Sequence, residues 1–238
     1  MQIEFPNGDA TIRAHLELVG TSDPAPAVIL IPDVRGLYDH FIDVAKRFRD
    51  AGFTALALDP YSREGPPDLP DMDAVFRWQA VLPDARVIDD VRAAARYLAG
   101  RDDVDAARIG VTGFCMGGQY ALMSACRVSE LRAAVSWYGM LAYDRISETK
   151  PQSPLDAAPN LGCPYLGMFG AEDALISLDD VERLRGIFAG NELETEIHVY
   201  EGAGHAFFND SRPDSFRADA AKDSWHRAID FFSRHLGG

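Results

Sequence analysis

Short runs of consecutive apolar residues recur along this chain, and longer segments with an apolar residue every three or four positions separate them. The runs Ala27–Ile31 (AVILI) and Phe53–Leu58 (FTALAL) are typical of strands buried on both faces. Between them, Phe41, Ala45 and Phe48 mark the inner face of a helix. This alternation predicts right-handed crossovers and a mostly parallel sheet with helices on both faces.

The pattern extends to both ends of the chain. Gln2–Phe5 and Thr11–Val19 are expected to pair across an Asn7-Gly8 turn. Further strands are expected at Arg108–Thr112, Leu131–Tyr138, Tyr165–Phe169 and Glu194–Tyr200. Further helices are expected through Trp78, from Asp84 as N-cap to Gly100, and over Met116–Arg127, Ser177–Ala189 and Ser211–Leu236. Loops are expected at Ser62–Asp73 and Ser147–Cys163. We therefore expect about seven to eight strands in a single domain over residues 1–238, because no segment is typical of a linker or a repeat.

The net charge limits the partners that the protein can bind, and the cysteines indicate the cellular compartment. The 23 Lys and Arg residues against 37 Asp and Glu residues give a net charge of −14, which repels nucleic acid and anionic membranes. The amino-terminal residues MQIEFPNGDA carry no basic region and no apolar run, so no signal peptide is predicted. Cys115, Cys126 and Cys163 form no CxxC pair, which indicates free thiols in a reducing, cytoplasmic setting. No motif predicts a metal or a cofactor.

One turn carries the strongest chemical signal. Gly113–Gly118 (GFCMGG) directly follows the strand Arg108–Thr112 and precedes a helix. A nucleophile on such a turn is lifted clear of the sheet, and the flanking glycines leave room for it. The helix N-terminus favours the thiolate form of Cys115, and the backbone N–H of Met116 is a candidate oxyanion donor. Cys126 is interpreted as a core residue instead.

A thiol nucleophile requires a base, and the base requires an orienting acid. His205 lies in the glycine-rich segment Glu201–Phe207, after the last predicted strand. Glu172 and Asp173 follow the preceding strand, and spacing alone does not separate these neighbours. Both segments stand at strand carboxyl ends, in the chain order nucleophile, acid, histidine that is typical of one class of hydrolase.

The loop after the AVILI strand supplies a second candidate oxyanion donor. It reads Pro32-Asp33-Val34-Arg35-Gly36, and in hydrolases of this plan an N–H of this loop faces the nucleophile. Val34 is the expected donor. Asp33 then either lies beside the thiol or serves only as a turn residue, and composition leaves these two interpretations equal.

Taken together, these segments resemble the dienelactone hydrolase family of α/β hydrolases. The resemblance rests on the GFCMGG turn, the GAED segment that ends at Asp173 and the EGAGHAF segment around His205. The LDPYSR, WQA and WYG segments support it, and it covers nearly the whole chain. It implies an α/β-hydrolase fold and a small-molecule lactone or ester as substrate, with no cofactor, in a monomer or small homo-oligomer.

The resemblance also implies roles for particular residues. Cys115 would be the nucleophile, His205 the base and acid, and Asp173, three residues after a glycine, the orienting acid. A carboxylate at Asp33 would hold the resting thiol, although the family usually has glutamate there. Candidate substrate-binding residues on the supporting segments and loops are Arg35, Tyr61, Arg63, Trp78, Tyr138 and Asn209.

Two positions depart from the family pattern. Members that cleave dienelactones bind the substrate carboxylate with two arginines, and the matching positions here hold Asn209 and Asp71. We therefore expect a neutral lactone or ester, with a relocated anchor on Arg35, Arg63 or Arg77 as the alternative. The alternative function is a non-catalytic thiol sensor or ligand-binding module on the same scaffold. Thioester or peptide hydrolysis has no dedicated feature in the sequence.

Overall fold

The computed structural model describes residues 1–237 and contains one eight-stranded sheet with the order β1-β2-β4-β3-β5-β6-β7-β8. Its strands are β1 (Gln2–Asn7), β2 (Ala10–Glu17), β3 (Ala25–Ile31), β4 (Thr54–Leu58), β5 (Val104–Phe114), β6 (Ala133–Trp137), β7 (Tyr165–Gly170) and β8 (Thr195–Tyr200). The first two form the antiparallel hairpin that the Asn7-Gly8 turn predicted, and β3 to β8 run parallel. The α/β prediction is therefore confirmed.

Helices cover both faces of this sheet, and β4 and β6 are therefore buried at every position. The helices are α1 (Asp39–Asp50), α2 (Met72–Val81), α3 (Asp84–Ala99), α4 (Met116–Ala125), α5 (Pro154–Ala157), α6 (Leu178–Phe188) and α7 (Ala218–Leu236), with a 3-10 turn at Ala158–Asn160. Phe48 of α1 packs on Trp225 and Phe232 of α7, whereas α3, α4, α5 and α6 contact one another in sequence.

Two boundaries differ from the sequence-based expectation for a physical reason. The last helix begins at Ala218 rather than Ser211, because the Arg217 N–H donates to the Phe207 carbonyl and turns the preceding segment back on itself. Asp84 is not an N-cap: Pro83 occupies that position, and the Asp84 carboxylate is buried in an ion pair with Lys150. The predicted 147–163 loop contains α5 and the 3-10 turn.

The sheet order brings distant loops to one edge. Parallel strands β3, β5, β7 and β8 all end at the same side, so the loops that follow them meet there. These loops carry Asp33 and Val34, Cys115, Asp173 and His205 respectively.

Candidate active site

Cys115 occupies a strained turn between β5 and α4. Its backbone has φ 56° and ψ −117°, a conformation that non-glycine residues rarely adopt. A Cβ on Gly113 would lie 1.9 Å from the Gly117 carbonyl oxygen, and one on Gly117 would lie 2.0 Å from the carbonyl oxygen of Ile31. The glycines are therefore required by close backbone packing, which leaves the thiol at the surface of the turn.

His205 lies between Cys115 and a buried carboxylate. Its Nδ1 donates to Asp173 Oδ2 at 2.8 Å, and the other Asp173 oxygen accepts the backbone N–H of Leu175 at 2.9 Å. The Asp173 side chain is fully buried, whereas Glu172 is exposed. Of the two neighbouring acids, Asp173 is thus the one that meets the imidazole. With Nδ1 engaged, Nε2 is left for the thiol side, and no hydrogen-bond partner within residues 1–237 occupies it.

The charge state of His205 depends on the thiol beside it. Burial lowers the pKa of His205, but the interactions with Cys115 and Asp173 outweigh burial and raise it to about 10. Cys115 and His205 also line the same cavity. By contrast, burial raises the pKa of both Cys126 and Cys163 to about 12, so these thiols stay protonated at neutral pH.

Two backbone N–H groups on different segments have no hydrogen-bond partner in the described part of the chain. Met116 is the first residue of α4, where the N–H has no partner inside the helix. Val34, in the loop after β3, lines the cavity, and its N–H has no hydrogen-bond partner in the described part of the chain. The Tyr61 hydroxyl donates to the Val34 carbonyl at 2.8 Å and holds that loop from behind. The arrangement suits stabilisation of a developing oxyanion.

Asp33 is buried at the rim of the same cavity. One of its oxygens accepts the Arg35 backbone N–H at 2.9 Å, and the other accepts the Tyr38 hydroxyl at 3.0 Å. Burial raises the pKa of Asp33 above its ordinary value, against the hydrogen bonds from these donors. The Asn209 amide donates to the Tyr38 hydroxyl at 2.9 Å. Asp33 is thus held by Arg35 and Tyr38 rather than by a hydrogen bond to Cys115.

The cavity has a volume of about 250 Å³, and two arginines, Arg35 and Arg212, are part of its wall. Neither takes part in a salt bridge within residues 1–237. Arg212 was missed in the sequence because the segment from Ser211 was interpreted as helix. Pro213 was the available signal, since proline inside a predicted helix marks a boundary.

The other residues suggested for substrate binding lie elsewhere. Arg63 makes two hydrogen bonds, of 2.7 and 2.8 Å, to the buried Asp90 and is outside the cavity. Trp78 packs edge-on against the fully buried ring of Tyr61, behind the Val34 loop. The ring of Tyr138 packs edge-on against His205 and supports it. Asn209 contacts Tyr38 as described, and Asp71 caps α2 by accepting the Ala74 N–H.

Among the helices of residues 1–237, none is both long and apolar enough to cross a membrane. Across residues 1–237, no group of three or more His, Cys, Asp or Glu side chains is placed to hold a metal ion.

The sheet order and the strained turn after β5 place this chain among the α/β hydrolases. Within that class it belongs to the dienelactone hydrolase family, whose model matches residues 12–236.

Individual relatives extend the match to nearly the full chain. An Escherichia coli (strain K12) protein named "Putative carboxymethylenebutenolidase" is 35% identical over 232 residues, which cover 97% of this chain and 84% of that protein. A Bradyrhizobium protein named "Probable 2-oxo-3-(5-oxofuran-2-ylidene)propanoate lactonase" is 35% identical over 98% of this chain and 92% of its own length. The crystal structure titled "Putative Dienelactone Hydrolase" from Klebsiella pneumoniae has a TM-score of 0.93 and 33% identity, and 98% of each chain is covered. These likenesses support a hydrolase that acts on lactone or ester bonds.

Proposed function

We propose that this protein hydrolyses a small lactone or carboxylic ester through a thioester on Cys115, with His205 as base and acid and Asp173 as the orienting carboxylate. The observation that carries the proposal is the position of His205, which is hydrogen-bonded through Nδ1 to a buried Asp173 and lines the same cavity as Cys115. A thiolate–imidazolium pair on a strained turn is typical of activated cysteine nucleophiles.

In the first half-reaction, the Cys115 sulfur attacks the carbonyl carbon, and the carbonyl electron pair moves to the oxygen. The N–H groups of Val34 and Met116 stabilise that oxyanion. The intermediate collapses, the carbon–oxygen bond to the alcohol breaks, and His205 Nε2 gives its proton to the leaving alkoxide. The product of this step is a thioester, with the alcohol either free or, in a lactone, still attached to the acyl chain.

In the second half-reaction, neutral His205 takes a proton from water, and the hydroxide adds to the thioester carbonyl. Collapse expels the Cys115 thiolate and releases the acid, which restores the thiolate–imidazolium pair. Asp173 keeps Nδ1 protonated throughout, so that Nε2 faces the reacting atoms. No redox partner or cofactor enters this balance.

The test is hydrolysis of a short-chain ester by wild type, Cys115→Ala and the matched control Cys126→Ala. We expect Cys115→Ala to lose nearly all activity and Cys126→Ala to retain it, because the Cys126 thiol stays protonated. Mass spectrometry of quenched wild type should find the acyl group on the peptide that contains Cys115. A thiol that reacts with iodoacetamide in a protein that turns over no ester would instead support a sensor or binding module.

The acid assignment is tested by a matched pair. Asp173→Asn should lower kcat/KM by roughly 10³- to 10⁴-fold, because the amide no longer fixes the His205 tautomer. Glu172→Gln should have little effect, since that side chain is exposed. An equal loss in both variants would contradict the assignment.

A further inference from the structure

A second cavity adjoins the one that contains Cys115. Its volume is about 420 Å³, and it shares three wall residues with the first: Phe76, Gln79 and Met140. The two cavities are therefore lobes of one cleft, which we name the catalytic lobe and the distal lobe. The other wall residues of the distal lobe include Ala80, Gln119, Tyr143, Asp144, Arg145 and Lys150.

The size of the catalytic lobe alone is unusual for a ligand site. Small-molecule sites typically enclose roughly 300–1,000 Å³, and the catalytic lobe, at about 250 Å³, is smaller than that. With the distal lobe included, the cleft falls inside this range. Helix α2 forms one side of the distal lobe, and the loop that contains Thr149 forms the other. A hydrogen bond fixes this loop to α2, because Thr149 Oγ1 donates to the Ala80 carbonyl at 2.7 Å.

The distal lobe contains a hydrogen-bond acceptor without a protein partner. Gln119 is only 2% exposed, and its Nε2 donates to the Tyr143 hydroxyl at 2.9 Å. Its Oε1 accepts no hydrogen bond from any residue in the described chain, and it is not closed off from solvent as the buried unpartnered polar atoms are. Gln119 stands four residues after Cys115 at the start of α4, so this acceptor lies one helical turn from the nucleophile.

The buried charges at the distal lobe are already compensated. Lys150 is bound to Asp84 and to the Tyr120 hydroxyl, each at 2.7 Å, so its ammonium group is not free for a ligand. Arg145 stands next to Asp144 in the chain, and both are exposed. The rest of the wall is largely apolar, and Phe76 leaves 44% of its surface uncovered there.

We propose that the distal lobe binds the remote part of the substrate, an uncharged and largely apolar chain or ring that carries a hydrogen-bond donor, such as a hydroxyl group, for Gln119 Oε1. This inference rests on the proposed function and names its substrate class. An exposed apolar patch beside a catalytic lobe and an acceptor in the lobe wall without a protein donor are both explained by one occupant.

The experiment compares vinyl esters, whose leaving group is small, with three acyl groups: acetyl, hexanoyl and hexanoyl with a terminal hydroxyl. Wild type should show kcat/KM values that rise at least tenfold from acetate to hexanoate and again for the hydroxylated ester. Ala80→Trp fills the distal lobe from the exposed end of α2 and should lower the hexanoate-to-acetate ratio at least tenfold. The matched control is Val81→Trp on the same helix, at a residue that is 61% exposed and outside both lobes; it should keep the wild-type ratio.

A second variant separates polar from apolar recognition. Gln119→Leu should abolish the preference for the hydroxylated ester and leave the hexanoate-to-acetate ratio unchanged. Equal kcat/KM for all three esters in wild type, with acetate still hydrolysed, would overturn the distal lobe as a substrate site while the proposed function stands.

If no ester is hydrolysed, the proposed function fails. Calorimetric titration with the hydroxylated hexanamide then tests separately whether the distal lobe binds such a chain. Binding that Ala80→Trp abolishes and Val81→Trp retains supports it, and absence of binding overturns it.

Discussion

At the scale of single residues, backbone strain is concentrated around one group of side chains. Cys115, Tyr138 and Ala206 have φ angles of 56°, 41° and 64°, and they are the non-glycine residues with positive φ in the described chain. Such conformations cost about 1–3 kcal/mol each and persist only where the surroundings hold them. Here hydrogen bonds hold two of them: Cys115 N–H donates to the Trp137 carbonyl and Tyr138 N–H to that of Met168. One of them is Cys115 itself, Tyr138 packs against the His205 imidazole, and Ala206 follows His205 in the chain.

The raised pKa of His205 predicts how Cys115 responds to alkylation. With a pKa of about 10, the imidazole stays charged throughout the neutral range. Because a neighbouring cation activates a thiol, iodoacetamide should alkylate Cys115 faster in wild type than in a variant without the imidazole. In His205→Gln the rate at neutral pH should fall at least tenfold and climb steadily with pH. His226→Gln, at an exposed histidine, is the control. A flat profile in His205→Gln would remove the imidazolium from the explanation.

Arg35 and Arg212 predict a preference for substrates that carry a carboxylate. The two departures from the family pattern suggested the opposite, a neutral substrate. Both arginines line the catalytic lobe, so a substrate carboxylate can be bound there although Asn209 and Asp71 replace the family's arginines. In matched esters with and without a carboxylate, wild type should prefer the acid. Arg212→Ala should reduce that preference roughly ten- to a hundredfold, since a charge-assisted hydrogen bond contributes about 1.5–3 kcal/mol.

Arg77→Ala is the matched control for this prediction, because Arg77 is exposed on α2 and lies outside the lobe. A wild-type preference for the neutral ester would instead support the expectation from the sequence that the substrate is uncharged.

At the scale of elements, a buried ion pair joins the start of α3 to the loop before α5. Lys150 Nζ is 2.7 Å from Asp84 Oδ1, burial lowers the pKa of Lys150, and the Asp84 side chain is fully buried. Lys150→Met should lower the free energy of unfolding by about 3–5 kcal/mol, because it leaves an unpaired buried charge. Adding Asp84→Asn should recover most of that loss. Urea unfolding of the single and double variants measures both. An unchanged midpoint in Lys150→Met would mean that water reaches Asp84 and compensates it.

At the scale of the whole molecule, the site depends on loops from separate strands that meet at one sheet edge. Tyr61, after β4, is a link between them, because its hydroxyl holds the Val34 carbonyl after β3. Tyr61→Phe should lower kcat about two- to tenfold, the equivalent of one hydrogen bond of roughly 0.5–1.5 kcal/mol, with KM for a short ester little changed. Equal kcat in wild type and variant would show that packing alone positions the Val34 loop. Circular dichroism should find the fold intact.

Local chemistry determined much of this protein from the sequence alone. Apolar runs predict β3 and β4, because both faces of these strands are buried and apolar residues therefore do not alternate with polar ones. The GFCMGG segment predicts a strained turn because only glycine tolerates the backbone contacts around Cys115. The chain order of Cys115, the acid and His205 followed from their places after strands.

Tertiary structure decided what depends on distance between remote segments. Glu172 and Asp173 are adjacent in the chain, and only the fold turns Asp173 toward His205 and leaves Glu172 in solvent. The sequence left Arg63 as a candidate for substrate binding, but in the fold its guanidinium is hydrogen-bonded to Asp90. Arg212 lines the catalytic lobe because α7 starts later in the chain than its periodicity indicates. Ion pairs and cavity walls form between residues far apart in the chain, so the local patterns that determine strands and turns carry no information about them.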